Sequence, residues 1–255
     1  MNHFRNAMLA ALPLLFLLPL AAQEARKAAP KAAPKKDVGI SSDQADQILD
    51  ELRQIRQLLQ MQAEKGGPAQ PPRAKLDLTG FQMLGSATAP LTLVEFTDYQ
   101  CPFCRQFHVT TFAELKKNYI DTGKIRFYSR DLPLDSLHPN AIRAAQAARC
   151  GADQKQYWTL RDMMGANPDK LDLENLVRFA GSLKMDTGAF RTCVESQKYK
   201  EAVQTDVLEA MKIGAEATPT FVIGKSTPQG VDGELLIGAQ PLGEFVKVIT
   251  RLESK

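Results

Sequence analysis

Residues 91–98, "LTLVEFTD", are apolar at both parities, interrupted by Glu95. A short apolar run without alternation reads as a strand buried on both faces, central in a sheet. A second strand is predicted at 124–132, "KIRFYSRDL", with a helix from about Pro102 to Tyr119 before it. The pattern then turns helical across 138–166, with a break expected near Gly151. "LDLENLVRFAGSL" and "DTGAFRTCVESQKYKEAVQTDVLEAMKIG" continue the helices to Gly214. Strands return at 220–224, "TFVIG", and at 234–239, "ELLIGA", and "PLGEFVKVITRLES" closes as a helix. A strand–helix–strand half and a strand–strand–helix half thus flank a helical insertion of about 138–214. The fold class is α/β, in one domain at 76–255.

The pattern upstream is different. Within 41–65, Ala45, Ile48, Leu52, Ile55 and Leu59 recur at intervals of three and four, flanked by Leu49 and Leu58. Ser41, Ser42 or Asp43 caps the start of this amphipathic helix. The spacing is a heptad seam of about two repeats, and Leu followed by Ile at its core positions favours three or four strands. Two readings follow: an oligomerisation stalk, or a stripe that packs on the catalytic domain. "GGPAQPPRAK", 66–75, reads as a linker and favours the stalk.

At the start, Arg5 precedes fifteen apolar or small residues, Met8–Ala22, fewer than the ~20 of a membrane span. Residues 1–22 read as a signal peptide, with an uncleaved membrane anchor as the alternative. Residues 23–40, rich in Ala, Lys and Pro, read as a flexible linker. The protein is therefore expected to be exported, to the periplasm or cell envelope. A net charge of +3 gives no case for nucleic acid.

Export changes the meaning of the four cysteines, because thiols persist in an oxidising compartment only when paired, ligated or redox-active. Four cysteines allow three pairings. Neighbourhood suggests Cys101 with Cys104, and Cys150 with Cys193 as a structural disulfide; two buried free thiols are the alternative for the second pair. In "TDYQCPFCRQFH", Cys101 sits where a strand ends and a helix begins, and Pro102 suits the first helical position. Free N–H groups and the helix dipole favour a thiolate there. Cys101 is the expected exposed nucleophile, and Cys104, one turn on, the buried resolving thiol. The different-class alternative is a soft-metal-binding or metallochaperone module on the same thiolates. Zinc commonly takes four ligands, and no second Cys-x-x-Cys is present, so no metal site and no cofactor is assigned.

"VEFTDYQCPFC", "DLPLDSLHPNAIRAAQAARC", "ATPTFVIG" and "LLIGAQP", in this order, resemble the DsbA-like family of exported thiol–disulfide oxidoreductases. The resemblance implies a thioredoxin-like fold with an inserted helical subdomain, here preceded by an N-terminal helix. It implies an acidic residue under the cysteines that takes part in proton transfer, which falls on Glu95. Burial would raise the pKa of that carboxyl; the alternative places Glu95 near a sheet edge, in reach of water. A cis proline facing the dithiol falls on Pro219, with Thr218 before it able to pair with an extended substrate. Phe103 stands where some strong oxidants of the family carry His, and Phe offers the thiolate neither charge nor N–H. Phe103, Thr218 and Pro219 make up the expected substrate contact. Cysteine-containing exported proteins and a redox partner, membrane-bound in some systems, are the implied partners. Oxidase, reductase and isomerase share these residues, so the net direction stays open. His108, on the face of Cys104, reads first as a packing or partly exposed residue and second as one that tunes the dithiol. His138 reads as a cap or surface residue, and Asp98 as a turn cap or a solvated acid.

Overall fold

The computed structural model describes residues 40–65 and 71–254. The signal peptide at 1–22 lies outside them, as do the linker at 23–40 up to Val38–Gly39 and the first half of the linker at 66–75. The chain divides into two units, Met1–Pro68 and Ala69–Lys255.

In the first unit, α1 spans Ser42–Lys65. Ser41 is the cap: its Oγ accepts from Gln44 N–H at 3.2 Å, and its own N–H donates to Gln44 Oε1 at 3.0 Å. This is a reciprocal capping box. The seam residues Ile48, Leu52, Ile55 and Leu59 are all exposed, at 46 to 60%.

The second unit is built on a six-stranded sheet in the order β1-β6-β5-β3-β4-β2. Its strands are β1 (Arg73–Asp77), β2 (Met83–Leu84), β3 (Leu91–Thr97), β4 (Ile125–Asp131), β5 (Thr220–Ser226) and β6 (Gly230–Ile237). β3 is wholly buried and central, parallel to β4 and antiparallel to β5. Leu91 and Leu93 face a core with Phe107, Phe127, Phe221 and Phe245, while Val94 and Phe96 face a second core with Leu76, Val222 and Ala210. Two-sided burial of this kind is why the strand reads as a continuous apolar run.

α2 (Pro102–Phe107) follows β3. The helix predicted to Tyr119 runs on as two π-helical turns, His108–Phe112 and Lys116–Ile120, around the short α3 (Ala113–Leu115). Five helices form the insertion: α4 (Ala141–Asp153), α5 (Tyr157–Ala166), α6 (Leu173–Ser182), α7 (Thr187–Glu195) and α8 (Lys200–Lys212). α9 (Leu242–Glu253) closes the chain against β5.

Three boundaries differ from the sequence reading. The segment 66–75 is not linker throughout, because Arg73–Lys75 already pair with β6. Only Ala74 and Leu76 are buried in β1, too brief an alternation to read. β6 starts at Gly230, four residues early, where two glycines in "GVDGE" hide the strand. Gly151 lies inside α4 and does not break it; a Cβ there would come within 2.8 Å of Leu160 Cδ2. The glycine lets α5 approach, and the break falls at 154–156, where Lys155 has φ 61°.

Candidate active site

The turn from β3 into α2 is set locally. Cys101 N–H donates to the Asp98 carbonyl at 3.1 Å, and the Asp98 side chain accepts from Gln100 N–H at 2.8 Å and Leu134 N–H at 2.9 Å. His138 Nδ1 lies 2.8 Å from the same carboxylate. Asp98 is therefore a buried organiser of the turn, and His138, partly exposed, is its partner.

Cys101 is the residue before the first helical turn, with Pro102 opening α2. Both sulfurs are unbonded. The expected contrast of an exposed and a buried cysteine is absent, since Cys101 is 4% exposed and Cys104 3%. The two differ in acidity instead. A hydrogen bond with Cys104 lowers the Cys101 pKa to about 5 against the cost of burial; Thr218 and the backbone N–H groups of Cys104 and Phe103 assist. Burial, the bond with Cys101 and the charge of Glu95 push Cys104 far up. One sulfur is held as a thiolate and the other as a thiol, the division a nucleophile and a resolving group need.

Across from Cys101 the Thr218–Pro219 bond is cis. The Cys101 thiol donates to the Thr218 carbonyl at 3.4 Å. Thr218 Oγ1 is buried and unpaired while the thiol is present, which leaves its hydroxyl for the thiolate. Phe103 is 59% exposed beside this pair and presents an apolar ring to solvent.

Beneath Cys104, Glu95 is 0% exposed, which removes the reading that placed it near water. His108 Nε2 lies 2.9 Å from both of its carboxylate oxygens, and Arg161 Nη2 donates to it at 2.5 Å. Burial alone would raise the Glu95 pKa. The facing His108 and Arg161 outweigh it and hold the carboxyl below its ordinary value, so the expected raised pKa is overturned. Burial lowers the His108 pKa, Glu95 opposes and Arg161 adds to the lowering.

His108 is therefore no simple packing residue. Arg161, from α5, escaped the sequence reading altogether. Its signal was present: Tyr157, Leu160, Arg161 and Met164 form the buried stripe of α5, and a cation on an apolar stripe asks for a buried partner. A cavity of about 320 Å3 opens between α2 and α5, lined by Cys104, His108, Val109, Phe112, Arg161 and Ala166 among others. Away from this site, Cys150 and Cys193 are joined by a disulfide that ties α4 to α7.

A family model described as thioredoxin matches residues 79–232. The chain is 30% identical over 169 residues to the Na(+)/H(+) antiporter NhaA 3 of Salinispora tropica, a match covering 66% of this chain and 25% of that protein. It is 31% identical over 150 residues to a probable disulfide bond formation protein D of Bacillus anthracis, across 56% of this chain and 69% of that one. The crystal structure of alpha-DsbA1 from Wolbachia pipientis matches with a TM-score of 0.62 and 28% identity, over 70% of this chain and 94% of that one. The chain spans about a quarter of the length of the antiporter relatives that it matches.

Proposed function

The chain belongs to the DsbA-like branch of the thioredoxin family, and from that premise we propose that it is an exported thiol–disulfide oxidoreductase acting on cysteine-containing proteins. The observation that carries this is the split acidity of the pair, Cys101 lowered to about 5 and Cys104 raised. In donation a substrate thiolate bonds to Cys101 of the Cys101–Cys104 disulfide and Cys104 leaves with the electron pair; when the dithiol is re-oxidised, Cys104 resolves the mixed disulfide on Cys101. A thiolate stabilised in the reduced state makes the pair the better oxidant, which supports disulfide donation as the net direction. The cis Pro219 turn and Thr218 present a backbone edge for an extended substrate segment, and Phe103 adds an apolar contact. Burial and the bond with Cys101 keep Cys104 protonated, and the negative charge of Glu95 adds to them. Cys150–Cys193 is a structural bond. Relatives named for disulfide bond formation favour this reading over a soft-metal module.

The test is a pair of substitutions. Cys101→Ser abolishes reaction with a disulfide-containing partner, while Cys104→Ser mixed with that partner accumulates it linked to Cys101, read by mass spectrometry. Equal accumulation of mixed disulfides in the two variants would overturn the assignment. The redox potential of the pair decides direction, and a value near that of a reducing thioredoxin would reverse the donor reading.

A homo-oligomer through residues 41–65 belongs to the same proposal. The exposed heptad seam of α1 supports it. Light scattering on the protein lacking residues 1–22, compared with the same protein lacking residues 23–70 as well, checks it: loss of the oligomer on truncation is expected, and a monomer in both forms would remove the stalk. A membrane-bound redox partner would return the dithiol to the disulfide.

A further inference from the structure

Each turnover moves one proton at a buried sulfur. When Cys104 attacks the mixed disulfide, its S–H proton leaves and a Cys101–Cys104 bond forms. The bond from Cys101 to the partner sulfur breaks, and its electron pair departs with the partner as a thiolate. In the reverse direction a partner thiolate bonds to Cys101, the electron pair of the broken bond returns to Cys104, and one proton is taken up. Cys104 is 3% exposed, so this proton needs a route.

Glu95 is poorly suited to carry it. Its oxygens are engaged by His108 and Arg161, and its carboxyl is held below the ordinary value. The imidazole of His108 is better placed. It sits one helical turn beyond Cys104, where side chains four apart share a face. Both line the cavity between α2 and α5, whose volume of about 320 Å3 has room for several waters. The His108 side chain is 21% exposed while Glu95 is 0% exposed, so the ring links the buried carboxylate to solvent. With the ring proton on Nε2 and donated to Glu95, Nδ1 is left for exchange; Arg161 Nη2, 2.8 Å from Nε2, donates to the carboxylate and not to the ring in this tautomer.

We propose that His108 is the proton relay of this site, exchanging the Cys104 proton through cavity water at Nδ1, with Glu95 and Arg161 as its positioning residues. The proposal rests on the dithiol reading above. In the resolving direction Nδ1 takes the proton, and the carboxylate of Glu95 stabilises the imidazolium through Nε2–H. Arg161 keeps Glu95 ionised and in place. An acid, base and orienting group within hydrogen-bond reach of each other, or one water apart, is the arrangement proton transfer needs. The charged or titratable groups around the ring are Glu95 from β3, Cys104 and Arg105 from α2, Lys116 from the second π-helical turn, and Arg161 and Asp162 from α5. Asp98 also reaches the cavity wall, but its oxygens are committed to Gln100, Leu134 and His138.

The experiment uses the reduced full chain and a chromogenic aromatic disulfide. Cys101 attack releases a first equivalent of coloured thiolate, and displacement by Cys104 releases the second. His108→Gln can keep the bond to Glu95 but cannot relay, so its second phase should slow by roughly a hundredfold at neutral pH. Its first phase should slow far less than its second, so that the ratio of the two phases reads the relay. In His108→Ala, added imidazole should restore the second phase in proportion to its concentration, with no effect on wild type. A second phase unchanged in His108→Gln, or one slowed in His108→Ala with no response to imidazole, would overturn the relay. A wild-type protein that released no second equivalent would refute the dithiol reading itself, and the relay with it.

Discussion

On one face of the sheet Glu95 meets His108 and Arg161; on the other, Arg130 and Arg149 meet Asp206, with Asp131 at the end of β4. Both clusters are buried and both join strand to helix. In the second, Asp206 accepts from Arg130 at 2.7 Å and from Arg149 at 2.6 Å, and its carboxylate also takes the Asp131 N–H at 2.9 Å. Arg130 also reaches Glu209 and lies 4.1 Å from the centre of the Phe81 ring. Every cation there is an arginine, which does not release its proton in proteins. That cluster ties α4 and α8 to β4. The cluster under Cys104 carries a histidine beside its arginine and lies against the cavity that it shares with Cys104. A histidine can exchange a proton where an arginine cannot.

The comparison is broken most severely by removing the hub of the arginine cluster. Asp206→Asn leaves Arg130 and Arg149 without their shared carboxylate, and should cost about 3–5 kcal/mol in denaturant unfolding. Protein that remains folded should release both thiolate equivalents at the wild-type rates. A slowed second phase would mean that the two clusters are not separate.

The disulfide comes next. Cys150 lies on α4 beside Arg149, at a sequence separation of 43 from Cys193. Replacing both by serine should lower stability by about 2–4 kcal/mol and leave the alkylation rate of Cys101 unchanged. An altered Cys101 rate would tie the insertion to the dithiol.

The smallest effect lies in pH dependence, where the two faces take opposite signs. Burial raises the Asp131 carboxyl from 3.8 to about 6, with Arg149 opposing. Between those values the folded state holds a proton that the unfolded state has lost, so this group's contribution to stability falls as pH rises through the window. Glu95 is lowered, so its contribution is present above the unfolded value and is lost as pH falls through the folded one. Asp131→Asn should therefore gain stability relative to wild type as pH rises from about 4 to about 6. Arg161→Met leaves only His108 against burial, so the Glu95 carboxyl should rise and its pH dependence shift toward the sign of Asp131, visible by infrared spectroscopy. A flat difference between Asp131→Asn and wild type, or no change in the carboxyl band of Arg161→Met, would refute these signs.

Much of the fold was legible because its signals are local. β3 is apolar at both parities since both faces are covered, and Pro102 marks the first residue of α2 as it would in an isolated peptide. The pair Cys101 and Cys104 needs only one helical turn. What was missed was written in weak or distant signals. β1 buries two side chains, and Gly151 resembles a breaker until α5 is seen against it. His108 and Arg161 read as ordinary residues of two separate helices.

The sequence alone placed a dithiol between a strand end and a helix start, because strand alternation and the helical turn convert spacing into direction; the acid six residues before it and the Thr-Pro ahead of a later strand were singled out by the family resemblance. Only the tertiary structure decided how that chemistry is controlled. The acidity of Cys101 is set first by Cys104 and then aided by the Thr218 side chain, 117 residues away, and the ionisation of Glu95 by His108 and then by Arg161, 66 residues away. Such shifts come from burial and from charges a few ångströms off, and those neighbours exist only when the insertion has folded onto the sheet.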